Sequence, residues 1–374
     1  MSSRKISSRF VLYVGFKCNL RCQFCYYLKS IEDGSAKNSD YESLAKKIKQ
    51  ARKLGKDQID FTGGEATIHP DFIKLVSLCK DLGFNTINVI TNGLRFADIN
   101  YFEKAKNAGL NEVLLSIHSN HREVHDELTK VPGSFDKIIE AAKNAKKLNV
   151  RLRINACINN KNYKYVDEYL NFLSSLQPTS VNLIVFNPTE ETPGYTKHDA
   201  IRIASYQEIA TEIEQALVKH EKNIPIINIR FLPFCFLKGR EEYIRTYWQE
   251  IYEQQEWDPI LHWAYRKGWW FSVGATVLGS LLTLVRPLHI FHGKKTIYTY
   301  LAEFFQNLRV FYLFKHTSDC QKCSFKNICP GLHRDFLKKQ ENEPKLNYYP
   351  IENGKLENDP ISFGRKKYPE KFPN

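Results

Sequence analysis

Between residues 10 and 187, short apolar runs alternate with longer segments whose apolar residues recur at helical spacing. The runs FVLYVG (10–15), QIDF (58–61), TINVIT (86–91), EVLLSIH (112–118), VRLRINACI (150–158) and SVNLIVF (180–186) are rich in β-branched residues and predict strands. Between them, residues 39–54, 70–82, 98–109, 134–148 and 162–176 predict amphipathic helices. Ser39 and Asp40 supply start signals for the first helix, and Gly55 and Gly83 stop signals for the first two. Alternation of this kind builds right-handed βαβ units on a parallel sheet. No GxGxxG follows the first strand, so the expected class is α/β, with a partial (βα)6 TIM-like barrel rather than a dinucleotide-binding sheet. A helix near 205–220 and the strand-like IPIINIR (224–230) complete this region, which is expected to span residues 6–230.

The polar and glycine-rich motifs fall just after the strands. Cys18, Cys22 and Cys25 follow the first, TGGE the second, TNG the third and SIHSNH the fourth. In barrel enzymes those strand ends form the active-site face, so motifs scattered along the chain are expected to meet in space. Beyond residue 231 the βα period is lost. A smaller C-terminal domain is expected over 231–335, carrying an apolar insert at 268–292, followed by a charged tail over 336–374.

Composition narrows the chemistry. With 43% hydrophobic and 25% charged residues the chain reads as globular. The opening MSSRKISSRF is basic and polar, and the first apolar run is too short for a secretory leader, so a cytoplasmic location is expected. Nine cysteines in a reducing compartment argue for metal or catalysis over a disulfide framework. Cys79 and Cys157, set among apolar neighbours, read as small core residues. The remainder divide into Cys18, Cys22 and Cys25 and a second set, Cys235, Cys320, Cys323 and Cys329. Histidine-free thiolate sets of this kind suit zinc or an iron–sulfur cluster. The second set is a full complement of four, so the first need not borrow from it and can leave a coordination position open.

The CxxxCxxC spacing, with Phe24 before the last cysteine, resembles the signature of radical S-adenosylmethionine (SAM) enzymes. The segment FTGGEATIHPDF (61–72) is similar to that superfamily's Gly-Gly-Glu element in its usual place after the second strand. The resemblance implies that Cys18, Cys22 and Cys25 hold a 4Fe-4S cluster whose open iron chelates S-adenosylmethionine. It also implies that Gly63, Gly64 and Glu65 contact the methionine amino group, with Glu65 as counter-charge. Ser116, Asn92 and Asn155 match polar positions on neighbouring strand ends, and Ile184 or Val185 would pack the adenine. The activity implied is reductive cleavage to a 5′-deoxyadenosyl radical that takes a hydrogen from a peptide, sugar or lipid-linked substrate, with flavodoxin or ferredoxin as reductant. Cys235, Cys320, Cys323 and Cys329 resemble the ligands of the SPASM and twitch auxiliary-cluster domains. They would hold a second 4Fe-4S cluster that relays electrons, or a structural zinc.

Three further features qualify this picture. A net charge of +13 also fits an RNA-modifying member, or a zinc-stabilised nucleic-acid-binding module without catalysis. His118, His121 and His125 lie within eight residues and could contact substrate as proton acceptors, bind a metal, or begin and cap a helix with Asp126. The run 268–285 lacks charge but is flanked by basic residues at both ends. It reads as a buried helix or hairpin, or as a peripheral membrane contact through Trp269 and Trp270, rather than a crossing.

Overall fold

The computed structural model describes residues 9–187, 205–245, 313–334, 336, 337 and 351. They fall into two compact units, one ending at Arg230 and the other holding the described residues from Phe231 onward. The apolar run 268–285 and nearly all of the expected tail lie outside the described residues.

In the first unit, seven strands follow one another in chain order and pair in parallel: β1 (Arg9–Tyr13), β2 (Gln58–Thr62), β3 (Thr86–Thr91), β4 (Glu112–Ser116), β5 (Arg151–Ile158), β6 (Ser180–Val185) and β7 (Ile227–Arg230). The connecting helices are α1 (Leu28–Glu32), α2 (Tyr41–Lys53), α3 (Phe72–Asp81), α4 (Ile99–Ala108), α5 (Arg122–Thr129), α6 (Ser134–Lys147), α7 (Val166–Ser175) and α8 (Tyr206–His220). This is a partial TIM-like barrel. Helix α2 shows how the sequence pattern acts. Leu44, Ala45, Ile48 and Ala51 form its buried stripe, and the Asp40 carboxylate accepts the Ser43 N–H at 2.9 Å as its cap. Helix α1, five residues long and set in the cysteine loop, is too short to leave a periodic signal.

Each strand puts alternate residues on opposite faces. In β5, Leu152, Ile154, Ala156 and Ile158 are buried on one face, while Arg151, Arg153, Asn155 and Cys157 share the other. That second face is polar along several strands. At its lower end Glu112 meets Arg153 at 3.0 Å, Arg151 at 3.4 Å and Arg9 at 3.5 Å. Asp60 bonds both Arg9 and Asn88. Burial would raise the Glu112 carboxyl, but Arg153, Arg9 and Arg151 together hold it below its usual range. Higher up, Asn155, Asn182 and Asn228 stand in direct register. The Asn182 amide donates to Asn155 Oδ1 at 2.7 Å, and the Asn228 amide to Asn182 Oδ1 at 2.8 Å.

In the second unit a 3-10 turn at Phe234–Phe236 and another at Glu241–Tyr243 precede the short strand β8 (Ile244–Arg245). Strand β9 (Phe314–Lys315) pairs antiparallel with β10 (Leu332–His333), and a 3-10 turn at Asp319–Lys322 lies between them. Among the described residues, no helix is long and apolar enough to cross a membrane.

The Glu112 cluster yields a test. Glu112→Gln, which leaves the guanidiniums without their shared anion, is expected to cost about 3 kcal/mol of stability in urea unfolding at neutral pH. Because the folded carboxyl lies below its unfolded value, its contribution is present above the unfolded value and is lost as pH falls through the folded one. The gap between wild type and variant should therefore narrow on acidification.

Candidate active site

The site is assembled by two chain segments that leave neighbouring strands and remain paired. Beyond β1 and β2, Val14 N–H donates to Thr62 O (3.0 Å), Gly64 N–H to Gly15 O (2.9 Å) and Glu65 N–H to Lys17 O (2.8 Å). Side chains would prevent this approach. A Cβ on Gly63, whose φ is +136°, would stand 2.1 Å from Gly15 O, and one on Gly64 would stand 2.3 Å from Lys17 O. The glycines expected to admit a ligand thus also admit the backbone that delivers Cys18.

The cysteine loop is then tied down on its far side. Arg21 N–H donates to Thr129 O and Gln23 N–H to Leu128 O, each at 3.0 Å. These acceptors are carbonyls that the end of α5 leaves open. Phe24, like Val124, packs on the cluster of Leu128, Cys157 and Phe186, and its ring meets His118 edge-on at 4.7 Å. Cys18, Cys22 and Cys25 are only partly exposed. Burial, with Glu65 adding to it, pushes the Cys18 thiol up to about 12. Burial and the two neighbouring sulfurs raise Cys22, and burial raises Cys25. Thiols that oppose one another's ionisation form a donor set that calls for positive charge at their centre. Between them, the buried Gln23 amide has no hydrogen-bond partner. Thiols and orphaned amide together fit an iron–sulfur group. Among the described residues, no group of three or more His, Cys, Asp or Glu side chains is disposed to hold a single metal ion.

Glu65 is almost wholly buried, at 3% exposure. Its Oε1 accepts from Thr67 N–H (3.0 Å), Thr67 Oγ1 (2.6 Å) and Thr91 Oγ1 (2.7 Å), and its Oε2 from Asn92 N–H (2.7 Å). Burial raises the carboxyl while these donors oppose the rise. The carboxylate expected as a counter-charge therefore binds the end of β2 to the end of β3. Asn92 in turn reaches Asn19 and Cys18. Ser116 pairs in register with Asn155 on the adjoining strand, and Asn155 ends the asparagine row. Ile184 shares the face of Asn182, whereas Val185 is buried on the opposite one.

The histidine cluster separates into two roles. His121 faces outward against Glu168 at 3.1 Å, with its ring 4.4 Å from Tyr165. His118 and His125 are buried and stacked, 5.6 Å apart. His118 Nδ1 accepts the Cys157 N–H, and His125 Nδ1 accepts the His118 N–H, each at 3.2 Å. A ring nitrogen that accepts from an amide has no proton of its own, so both rings are neutral with hydrogen on Nε2. Each ring is thus left with an Nε2–H to donate. Asp126 does cap a helix, but the following one. It accepts from Phe135 N–H and Gly133 N–H at the start of α6, and also from Ser134 Oγ. No local pattern marks Asn19, Gln23, Thr91 or the Asn182–Asn228 extension, since isolated amides and hydroxyls carry no periodicity.

In the second unit, Cys235, Cys320, Cys323 and Cys329 line one cavity together with His316 and Lys326. Burial and the three other sulfurs raise Cys235, and burial pushes Cys329 up to about 12. Thr317 Oγ1 lies 3.5 Å from Cys320 Sγ, and His316 Nε2 lies 2.9 Å from Cys329 O. Four thiols thus meet at one cavity.

Comparison with known proteins gives a match of residues 12–173 to the model of the Radical SAM superfamily. A protein of Saccharolobus islandicus (strain M.14.25 / Kamchatka #1), described as "Probable GTP 3',8-cyclase", is 29% identical over 206 residues, covering 54% of this chain and 64% of the relative. One of the same description from Sulfolobus acidocaldarius is 31% identical over 172 residues, covering 46% and 53%. The chain thus spans less than two thirds of either relative. Among solved structures, Streptococcus suis SuiB bound to S-adenosylmethionine has a TM-score of 0.48 at 19% identity, covering 58% of this chain and 48% of that one. Methylornithine synthase (PylB) has a TM-score of 0.46 at 20% identity, covering 64% and 70%.

The locked histidines have a measurable consequence. Burial, against a smaller opposing pull from Asp126, lowers His125 from the ordinary 6.5 to about 4. A histidine depressed in this way favours the neutral folded form, so stability is lost as pH falls from 6.5 toward 4. In urea titrations over that window, His125→Gln should flatten the slope of stability against pH by up to about 1.4 kcal/mol per unit.

Proposed function

Residues 12–173 form a domain of the Radical SAM superfamily, and from that premise we propose that the chain is an enzyme that cleaves S-adenosylmethionine reductively at Cys18, Cys22 and Cys25. The observation that carries the reading is the paired backbone of Gly15–Lys17 and Gly63–Glu65, which sets three coupled thiols beside the Gly-Gly-Glu element. Members of the family use a 4Fe-4S cluster and S-adenosylmethionine. Bound here, that group supplies a 5′-deoxyadenosyl radical for hydrogen abstraction from substrate.

The chain's own residues hold and shield this chemistry. Cys18, Cys22 and Cys25 supply three thiolates and leave one coordination position for the cofactor. The backbone of Gly63 and Gly64 would contact its amino group. Ser116 and Asn155, adjacent on β4 and β5, offer hydrogen bonds to its polar atoms. Phe24, packed on Leu128 and Phe186, keeps water from one side of the loop.

The second set, Cys235, Cys320, Cys323 and Cys329, holds an auxiliary 4Fe-4S cluster. With four protein thiolates it has no open position for substrate, so it serves as an electron relay in an oxidation. A small reductant protein, flavodoxin or ferredoxin, supplies the first electron.

Anaerobic reconstitution is expected to give a brown protein with about eight irons per chain, the total for two clusters of four irons. The triple variant Cys18→Ala, Cys22→Ala, Cys25→Ala should lose about half the iron and all 5′-deoxyadenosine formation. Cys235→Ala with Cys320→Ala should lose the other half and keep basal cleavage. A colourless protein carrying zinc at both sites would sink the reading. For the substrate, 5′-deoxyadenosine release should be followed as candidates are added. GTP comes first, since the similar proteins of Saccharolobus and Sulfolobus carry it in their description.

A further inference from the structure

Asn92 stands in the turn after β3, and every hydrogen-bonding group of its side chain is engaged. Oδ1 accepts the Leu94 N–H at 3.1 Å. Nδ2 donates to Asn19 Oδ1 at 2.7 Å and points at Cys18 Sγ at 3.9 Å, within the reach of an N–H···S bond. The Leu94 N–H fixes the orientation of the amide. Turned over, Asn92 would set its NH2 against that donor and its oxygen against Asn19 Oδ1. The NH2 group therefore faces the sulfur. Its place is also fixed from behind, because its own N–H is held by Glu65 Oε2 at 2.7 Å. Thr91, which donates to Glu65 Oε1, accepts the Gly93 N–H at 3.0 Å, so the whole turn is tied to the buried carboxylate.

Two other N–H groups reach the thiols of this loop, from Leu20 to Cys18 and from Tyr27 to Cys25, each at 3.4 Å. Both are backbone amides of the loop itself, and any sequence would supply them. Asn92 is the side-chain donor to this set among the described residues, and it comes from another strand 74 positions away.

We propose that Asn92 is a positioning residue that acts on Cys18 rather than on the cofactor: it donates a hydrogen bond to that thiolate, and Glu65 sets the aim of the bond. The inference rests on the reading of Cys18, Cys22 and Cys25 as cluster ligands. Hydrogen bonds to cluster sulfurs are among the factors that set the reduction potential, because they stabilise the more negative, reduced state. Glu65 thereby influences the cluster without touching it, through the backbone of Asn92. This gives the Gly-Gly-Glu carboxylate a function that its four internal hydrogen bonds permit.

The test is a redox titration of the reconstituted full chain, followed by EPR without S-adenosylmethionine, in wild type, Asn92→Asp and Asn92→Ser. The Asp variant keeps an acceptor for Leu94 and replaces the donor by negative charge. The Ser variant removes the donor without adding charge. Both potentials are expected to fall, the Asp variant by a tenfold or greater shift in the reduction equilibrium, about 59 mV for a one-electron couple. The Ser variant should shift less and in the same direction. Affinity for S-adenosylmethionine, read from its effect on the EPR spectrum, should change less than the reduction equilibrium does.

An unchanged potential in both variants overturns the proposal. So does a tenfold loss of affinity at constant potential, which would put Asn92 in the cofactor pocket. Variants that keep the wild-type circular dichroism and melting temperature but lose the cluster also overturn it, since the donor would then serve retention. A wild-type chain that takes up no iron–sulfur cluster refutes the functional reading instead.

Discussion

The arrangement depends on two hydrogen bonds that continue a sheet after its strands have ended, from Gly64 N–H to Gly15 O and from Glu65 N–H to Lys17 O. Through them the cysteine segment and the Gly-Gly-Glu segment occupy one ledge at the sheet's carboxyl edge. Everything else in the site is fastened to that ledge. Glu65 reaches across to the third strand, Asn92 reaches back to the first loop, and the loop closes onto the end of α5. The glycines are required by this contact between backbones, whatever they also do for a ligand.

The polar side of the sheet carries two kinds of order. Charges cluster at its lower end, where Glu112 and Asp60 answer the arginines of β1 and β5. Uncharged amides run across β5, β6 and β7 closer to the strand ends. Full charges at the reacting end would impose a strong field on any bound cofactor, whereas carboxamides donate and accept without one.

Much of the fold was legible because β-branched runs and 3.6-residue stripes recur cleanly between Phe10 and Phe186. The thiol partition was legible too, since spacing alone separates Cys18, Cys22 and Cys25 from the later set. The roles of polar side chains were not. Glu65 reads as a free carboxylate until Thr67, Thr91 and Asn92 are seen to consume its lone pairs. His118 and His125 leave several roles open in the sequence until backbone amides engage their Nδ1 atoms. Such facts belong to contacts between residues distant in sequence, and no local pattern encodes them. Cys235 is different: counting the thiols set it beside Cys320, Cys323 and Cys329 despite the long gap, and the four line one cavity.

The strapping of the cysteine loop to α5 bears on how the chain is made. Arg21 and Gln23 find their acceptors on Thr129 and Leu128, and Phe24 finds its packing on Leu128, Cys157 and Phe186. During synthesis from the N-terminus the three thiols leave the ribosome more than a hundred residues ahead of these anchors. The near side of the loop meets Gly64 and Glu65 early, but its far side closes an interval of that length. The anchors of that far side exist only after α5 and β6 have been made, so a chain cut short of Phe186 lacks part of the packing that holds the three thiols.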